Sequence, residues 1–471
     1  MPQSKIALFS KIDKFTLLLV VMLLAAMVTA YSYYARIYNP SYAPNFYSLL
    51  GEAFMAGQTH IEIPPRRELA TLPNPYEPRL NWRYRLHDAS LYNGKYYLYY
   101  GPVPALLPWI PVKYLTGISL SDSSLALCFA VVGTVCLTWL LVSIAMHQRM
   151  VVRWGLVFAV LSLCFGTWLP FLLRRPFFYE VAISGAYCFS ALGLLCLWQG
   201  FWRRQKTAYC WQLVAGLCFG LAMGCRITHV FTIAILIIAW VMMRRTQTAR
   251  TSFLQLICMF GPWLLCLAGL TVYNYVRFGS VFESGLHYQL TIFDFHTPGF
   301  KLISFNHVLD NAYFYLLRPL TWRNNFVFPF FHVNAARIAL PWDAVNAMAR
   351  TDEPLYGLFT NNPFSFWLLA MPYCLVKRHR LSPETRAILT GIALYGVSLL
   401  CFLLFFFFTT MRYGVDFAPW LVFLASVQYL QLLSIVKTKR IFFLLLVAGG
   451  VTALYGAFTG TMSAYCGCLQ C

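Results

Sequence analysis

The feature that most constrains this chain is the recurrence of apolar, uncharged windows of about 20 residues, the length that an α-helix needs to cross a membrane. Eight windows qualify: 15–34, 123–146, 154–173, 181–202, 253–276, 387–410, 417–436 and 441–461. Only 11% of the 471 residues are charged, against about 25% in soluble proteins. The sequence therefore predicts an all-α polytopic membrane protein.

Three further segments complete the predicted topology. Residues 211–243 are too long for one helix and are interrupted by GCRIT (224–228), which predicts a helical hairpin with Arg226 at its tip. Residues 363–376 are short, but their flanking charges require them to cross. Residues 98–112 contain four prolines. Because proline breaks helices, we predict an interfacial or re-entrant segment there. These assignments give about eleven transmembrane helices.

The net charge of +20 is explained by where the basic residues lie in the sequence. Eighteen of the 36 Lys and Arg residues lie in six short linkers that hold only two acids. If these linkers share one side, the positive-inside rule makes that side cytoplasmic, with the N-terminus inside and the C-terminus outside. The basic excess is then a topology signal, and no nucleic-acid partner is expected. The N-terminal segment lacks a convincing cleavage site and is typical of a retained signal anchor.

This topology divides the chain into six parts. They are a cytoplasmic N-terminus with the first transmembrane helix (1–34), a first extracytoplasmic loop with interfacial helices (35–121), a transmembrane region (122–276), a second extracytoplasmic loop (277–362), C-terminal transmembrane helices (363–461) and a Cys-containing extracytoplasmic tail (462–471). The cytoplasmic linkers are too short to form a domain. We therefore expect any chemistry at the outer face, on a substrate that is lipid-borne or supplied from outside.

Seven sequence blocks occur in a characteristic order: NFYSLLGEAFMAGQ (45–58), LPNPYEP (72–78), HDASLYNGKYYLYYGPVPALLPWIP (87–111), RRPFFYEVA (174–182), YNYVRFGSVFESGLHYQL (273–290), DEPLYGLF (352–359) and RYGVDFAPW (412–420). They resemble a largely uncharacterised bacterial branch of the GT-C superfamily of integral-membrane glycosyltransferases. The resemblance implies transfer of a sugar from a polyprenyl-phosphate-linked donor to a lipid, glycan or protein acceptor. It also implies a place in the bacterial inner membrane, among membrane lipids.

The resemblance further implies that a carboxylate in the first outer loop acts as a base or positions the acceptor. The matching position here is Asn45, and an amide cannot act as a base. The role would pass to Glu52, Glu62 or Asp88. A divalent cation held by acids stays open, although the histidines lack metal-ligand spacing and no metal site is predicted. A disulfide is plausible in the C-x-C-x-x-C tail, which ends at Cys471.

Asp88 is the leading catalytic candidate, because it lies between His87 and a run of tyrosines near the predicted membrane surface. A partly desolvated carboxylate can deprotonate an acceptor hydroxyl. Capping of a turn explains Asp88 equally well. Glu52 could be a second acid, although the polar face of a surface helix is the favoured interpretation. Tyr97 and Tyr100 suit an interfacial aromatic belt and could also stack on sugar rings.

Arg226 and Arg277 are candidates to bind the lipid phosphate, since a guanidinium can grip a phosphate through two hydrogen bonds. Anchoring or snorkelling at the interface is the alternative for both. Arg412 and Asp416 lie together in a short turn, where they could form a local salt bridge or contact phosphate and acceptor.

Glu180 follows Arg174 and Arg175 in a charged turn between two predicted spans. Charged side chains so close to the hydrocarbon core cost free energy and usually have a function. Mutual ion pairing and a substrate-binding role explain this turn equally well. Glu283, in the YNYVRFGSVFESG block, completes the set of acids and bases that could converge on one cavity.

Two alternatives come from other functional classes. A transporter or flippase of lipid-linked sugars predicts charged residues in the middle of spans and internal repeats. The sequence shows few such charges and no repeat. A non-catalytic membrane assembly protein predicts that changing any single acid leaves function intact.

Overall fold

The computed structural model describes residues 12–37, 44–245, 247–322, 328, 330, 348–349, 355–376 and 381–465. In this part, ten helical segments are long and apolar enough to cross a membrane: α1 (Lys14–Ile37), α2 (Asp122–His147), α3 (Arg153–Leu173), α4 (Phe178–Trp202), α5 (Gln205–Cys225), α6 (Ile227–Arg244), α7 (Ala249–Phe278), α8 (Pro383–Phe405), α9 (Ala418–Ile435) and α10 (Lys439–Ser463). The predicted all-α polytopic membrane fold is confirmed.

Hydroxyl side chains begin three of these helices. Ser121, Thr248 and Ser382 each accept a hydrogen bond from the backbone N–H three residues further on, at the starts of α2, α7 and α8. Such caps satisfy an N–H group that has no partner inside the helix. Gly279 ends α7 at φ 69°, a left-handed conformation that glycine adopts without steric cost.

Two of the long segments are interrupted. The α-helix of α3 ends at Phe165 and resumes over Leu169–Leu173. The segment α6 begins with the 3₁₀ turn Ile227–Thr232 before its α-helix, Ile233–Arg244. Arg226 lies between α5 and α6 in an extended conformation. The predicted hairpin with Arg226 at its tip is therefore present.

Residues 363–376 form a 3₁₀ helix, Pro363–Ala370, that continues as the α-helix Met371–Val376. At rises of about 2.0 and 1.5 Å per residue, the segment is about 25 Å long, somewhat shorter than a hydrocarbon core of about 30 Å. The rings of Phe364 and Trp367 both pack against Tyr429 of α9. An eleventh crossing by this segment stays a prediction.

The shorter elements lie between the long helices. The helices are Phe46–Met55, Arg67–Thr71, Pro78–Asn81, Ala105–Trp109, Ile110–Thr116, Phe305–His307, Val308–Ala312, Tyr313–Leu317, Leu358–Asn361 and Met411–Asp416. The strands are Ser90–Tyr92, Lys95–Tyr97, Met348–Ala349 and Phe408–Thr409. In the proline-rich segment, the short helix Ala105–Trp109 continues directly as Ile110–Thr116, and the interfacial or re-entrant placement of this segment stays a prediction. Cys466, Cys468 and Cys471 lie outside the described residues.

The strands Ser90–Tyr92 and Lys95–Tyr97 form an antiparallel hairpin. Its turn is Asn93-Gly94, with φ of 48° and 70°, the conformation that favours this dipeptide in two-residue hairpins. On the other side, Leu91 N–H donates to the Tyr288 carbonyl over 2.8 Å, and Leu290 N–H donates to the Ala89 carbonyl over 2.9 Å. Backbone hydrogen bonds therefore join the two predicted outer loops.

The helices α4 and α9 lie at the centre of the bundle, since almost all of their residues are buried, whereas α1, α7 and α10 are largely exposed. One close backbone approach fixes the hairpin to this bundle. A Cβ atom on Gly101 would lie 1.9 Å from the Gly224 carbonyl oxygen near the end of α5. Only glycine fits at this position, and the contact places Tyr100 beside Arg226.

Candidate functional site

Five predicted site residues converge at one end of the bundle, and we call them the charge cluster: Arg226, Asp416, Arg412, Glu180 and Tyr100. They come from separate parts of the chain. Arg226 follows α5, Glu180 lies in the first turn of α4, and Tyr100 follows the hairpin. Arg412 and Asp416 lie in the 3₁₀ turn between α8 and α9. All five side chains are buried.

The strongest contact of the charge cluster joins Arg226 to Asp416. The Arg226 Nε–H donates to Asp416 Oδ2 over 2.9 Å, with side-chain exposures of only 8% and 1%. A nitrogen of the same guanidinium, Nη1, donates to the Tyr100 hydroxyl over 3.4 Å, and the group lies 4.7 Å from the Tyr413 ring centre. A guanidinium carries five N–H donors. Within the described part of the chain, Arg226 makes only these two hydrogen bonds, which leaves donors for a ligand.

The second charge pair is Arg412 with Glu180, whose Nη1 and Oε1 atoms are 3.7 Å apart. The other carboxylate oxygen of Glu180 accepts the backbone N–H of Phe177 over 3.0 Å, at the start of α4. The Arg412 guanidinium lies 4.6 Å from the ring centre of Tyr179. The Glu180 carboxylate thus contacts both the Phe177 N–H and Arg412. Its pairing with Arg412 keeps the guanidinium beside the Tyr179 ring.

Behind Asp416 lies a chain of polar side chains that the sequence interpretation missed. Asp416 Oδ1 is 3.5 Å from His229 Nε2. On its other side, His229 Nδ1 contacts the hydroxyls of Tyr395 and, at 3.2 Å, Ser190. These two hydroxyls are 2.9 Å apart. The contacts with Tyr395 and Ser190 fix the orientation of the His229 ring. Its Nε2 faces Asp416 Oδ1, and neither of these two buried atoms has a hydrogen-bond partner among the described residues.

Asp88 lies close to the charge cluster and is also buried. Its Oδ1 accepts a hydrogen bond from the Gln289 amide over 3.0 Å, and its Oδ2 lies 3.2 Å from Nε2 of the exposed His87. The backbone at Asp88 has φ 62°, a left-handed conformation that aspartate tolerates better than most residues.

Tyr413 links Asp88 electrostatically to the charge cluster. Burial is the main reason why the pKa of Tyr413 lies above its usual value, with Tyr100 and the Asp88 carboxylate raising it further. Arg412 and Arg226 act in the opposite direction. Tyr413 is therefore protonated at neutral pH and can donate a hydrogen bond.

Arg277 is buried, but its donors are used within the protein. It donates to the carbonyl of Leu98 over 2.6 Å, to the Asn274 side chain over 2.7 Å and to the carbonyl of Ser284 over 3.4 Å. The ring of Tyr97 lies 5.2 Å from that of Phe278, next to Arg277. This geometry ties the first predicted outer loop to the segment after α7.

Glu283 and Glu52 lie apart from the charge cluster. The Glu283 carboxylate accepts the backbone N–H of Gly285 over 2.6 Å and pairs with His287 Nδ1 at 2.6 Å, which closes a local turn. Glu52 lies on the exposed face of the helix Phe46–Met55, as expected for the polar side of a surface helix.

A second residue that the sequence interpretation missed is Asp122, which is buried beside Asn45. Its two carboxylate oxygens accept the backbone N–H groups of Phe46 and Tyr47, over 3.0 and 3.2 Å. Asn45 in turn accepts the backbone N–H of Asp122 over 3.1 Å. The position that the resemblance matches to an acid thus holds a reciprocal cap. Phe46 and Phe178 of α4, with ring centres 4.5 Å apart, join this cap to the charge cluster.

Among the described residues, no group of three or more His, Cys, Asp or Glu side chains has the geometry of a metal site. The groups of the charge cluster have chemistry of their own. Two guanidinium ions, two carboxylates and several tyrosine hydroxyls can bind an anion, orient hydroxyl groups and transfer a proton.

Comparisons with known proteins yield distant structural matches. No family model matches the chain, and no curated protein is a significant relative. Among solved structures, the chain is similar to ArnT from Cupriavidus metallidurans bound to undecaprenyl phosphate, with a TM-score of 0.47 and 12% identity over 95% of this chain and 77% of that one. It is also similar to the apo state of the same protein, with a TM-score of 0.44 and 12% identity over 95% and 76%.

Proposed function

We propose that this chain is a membrane glycosyltransferase that moves a sugar from a polyprenyl-phosphate-linked donor to an acceptor. The observation that carries this proposal is the convergence of two buried arginines, Arg226 and Arg412, with two carboxylates beside Asp88. Guanidinium groups bind phosphate oxygens through paired hydrogen bonds. Four of the five residues of the charge cluster also lie in the sequence blocks that resemble the GT-C superfamily.

In this mechanism the Asp88 carboxylate takes the proton of the acceptor hydroxyl. The acceptor oxygen then forms a bond to the anomeric carbon of the sugar, while the bond from that carbon to the phosphate oxygen breaks. The electron pair of the broken bond stays on the polyprenyl phosphate, which gains one negative charge. Arg226 and Arg412 stabilise this charge, and stabilisation of developing charge is usually the largest contribution to catalysis.

Neighbouring groups hold the reacting ones in place. Asp416 and Glu180 fix the two guanidinium groups, so that little conformational freedom is lost when the phosphate binds. Tyr100 and Tyr97 offer rings against which a sugar can stack. Gln289 and His87 orient the Asp88 carboxylate. In the proposed sugar transfer, a supporting role or no role is assigned to Glu52, Arg277 and Glu283.

The proposed location is the inner membrane of a bacterium, with the charge cluster at the extracytoplasmic face. Placement of the basic linkers on the cytoplasmic side supports this orientation. It puts the N-terminus inside and, with eleven crossings, the C-terminus outside. Residues 35–121 and 277–362 are then the outer loops that shape the acceptor site.

The test is mass spectrometry of cell-envelope glycolipids and glycans from the bacterium that carries the gene. A deletion strain is complemented at equal protein levels with wild type, Asp88→Asn, Arg226→Lys or Arg412→Lys. Glu68→Gln is the matched control, since Glu68 is an exposed acid of the same loop. We expect deletion to remove the mass of one sugar unit and to increase the amount of the lipid-linked donor. Wild type and Glu68→Gln restore the profile, whereas the other three variants do not.

Other outcomes identify the rival functions. If Asp88→Asn restores the full profile, Asp88 is not the base. If the donor accumulates only on the cytoplasmic side of the deletion strain, the chain moves lipid-linked sugars across the membrane and does not transfer them. If all three site variants restore the profile as wild type does, the non-catalytic interpretation is correct.

A further inference from the structure

A cavity of about 380 Å³ lies at the opposite end of the bundle from the charge cluster. It is enclosed by the C-terminal ends of α4 and α6 and the N-terminal ends of α5, α7 and α8. Its volume lies in the range of pockets for small ligands, about 300–1,000 Å³. Its lining is mostly polar, which is unusual between helices that cross a membrane.

Two glutamines whose side-chain oxygen atoms lack a hydrogen-bond partner form the floor of this cavity. Gln212 and Gln255 are only 1% and 3% exposed. Their Oε1 atoms have no hydrogen-bond partner among the described residues. Leaving a buried acceptor unsatisfied is costly, so such atoms are normally paired in folded proteins. Since both side chains line the cavity, a ligand that donates hydrogen bonds would satisfy them.

The rim of the cavity carries charges of both signs. Arg203 and Glu384 both line it; Arg203 is exposed and Glu384 is half-buried. Three helices longer than twenty residues begin there, namely α5, α7 and α8. Helix N-termini attract negative charge through their free N–H groups and the helix dipole. One part of the rim therefore favours an anion, whereas Glu384 favours a cation.

We propose that this cavity binds a phosphate ester that also carries an ammonium group. Arg203 and the helix N-termini would receive the phosphate. Glu384 and the amide oxygens of Gln212 and Gln255 would receive the three N–H donors of the ammonium group. The headgroup of an aminophospholipid has this chemistry, and the place of the cavity at the ends of membrane helices makes the lipid itself an accessible source.

Binding is measured by native mass spectrometry on the purified full chain in detergent. The probes are dioleoyl phosphatidylethanolamine, dioleoyl phosphatidylglycerol and free phosphoethanolamine. The variants are Arg203→Ala and Glu384→Gln, which change the exposed and the half-buried charge of the rim and leave the core intact. A third variant, Gln212→Leu, tests the buried floor. Arg204→Ala is the matched control, because Arg204 is an exposed neighbour that does not line the cavity.

Wild type and Arg204→Ala are expected to retain phosphatidylethanolamine at least tenfold more tightly than phosphatidylglycerol. Arg203→Ala weakens the binding of both lipids by about tenfold, the effect of losing a hydrogen bond to a charged group. Glu384→Gln and Gln212→Leu reduce only the preference for phosphatidylethanolamine. Equal retention of the two lipids by wild type, or an unchanged preference in Glu384→Gln, overturns the proposal.

Free phosphoethanolamine distinguishes the two sources of the ligand. If it displaces phosphatidylethanolamine, the cavity recognises the headgroup chemistry alone and a soluble ester can occupy it. If only the lipid binds, the acyl chains contribute and the membrane is the source. Both results support the binding chemistry. Because the assay measures no sugar transfer, its outcome is independent of the function proposed for the charge cluster.

Discussion

Replacing Asp416 by asparagine removes a buried negative charge while keeping the shape of the side chain. Because Arg226 Nε and Asp416 Oδ2 are 2.9 Å apart, the two charge centres lie about 4 Å apart. At an effective dielectric constant of about 20, their attraction is about 4 kcal/mol. Loss of one partner also leaves the Arg226 charge buried and uncompensated. We therefore expect Asp416→Asn to lower the free energy of unfolding by about 3–5 kcal/mol.

The assay is unfolding of the purified protein by SDS in mixed micelles, followed by tryptophan fluorescence. The double variant Arg226→Met with Asp416→Leu is the decisive comparison. Because an apolar pair of similar volume often replaces a buried ion pair without loss, the double variant should recover most of the stability. It should still fail to restore sugar transfer. Wild-type stability in Asp416→Asn, or a double variant less stable than either single one, would refute the reasoning.

Three further changes follow from other contacts. Gly101→Ala places a Cβ atom 1.9 Å from the Gly224 carbonyl oxygen. We therefore expect little monodisperse protein in size-exclusion chromatography. Gly94→Ala, on the exposed hairpin turn, should reduce the yield of monodisperse protein far less. Arg277→Gln removes the ties to the predicted outer loops and should speed trypsin cleavage there at least severalfold. The pKa of Asp294 lies below its usual value because, although partial burial acts to raise it, hydrogen bonds from His296 and Asn74 outweigh that effect. The stabilising contribution of Asp294 is therefore present above pH about 4 and is lost as the pH falls through the lowered pKa. Pepsin cleavage near Asp294 should then rise on acidification in wild type but not in Asp294→Asn.

The sequence predicts the membrane helices well because the signal is local. A run of about 20 apolar residues satisfies its own backbone and has few alternatives in a bilayer. Even the break at Arg226 could be read from GCRIT, since a charged residue is unlikely to lie in the middle of a span. The hairpin at Asn93-Gly94 also carried a readable signal, because that dipeptide strongly favours a tight turn.

The site is harder to predict because its partners are far apart in sequence. Asp416 meets Arg226 across 190 positions, and no local pattern indicates which buried charges will pair. Arg277 illustrates the same difficulty, because its partners could not be read from the sequence either. From sequence it resembles a lone donor for phosphate, but it donates to the carbonyl of Leu98, 179 positions away.

His229 shows why the missed residues matter to the proposed chemistry. A single histidine in an apolar segment carries no metal spacing, and its neighbours Ser190 and Tyr395 look like ordinary helix residues. Yet His229 lies between Asp416 and the buried hydroxyls of Ser190 and Tyr395. If the phosphate gains charge as the sugar leaves, Arg226 is drawn toward it and away from Asp416. The carboxylate then needs another partner, and His229 is placed to supply one. The function proposed for the charge cluster therefore predicts a requirement for His229, a residue that would touch neither donor nor acceptor.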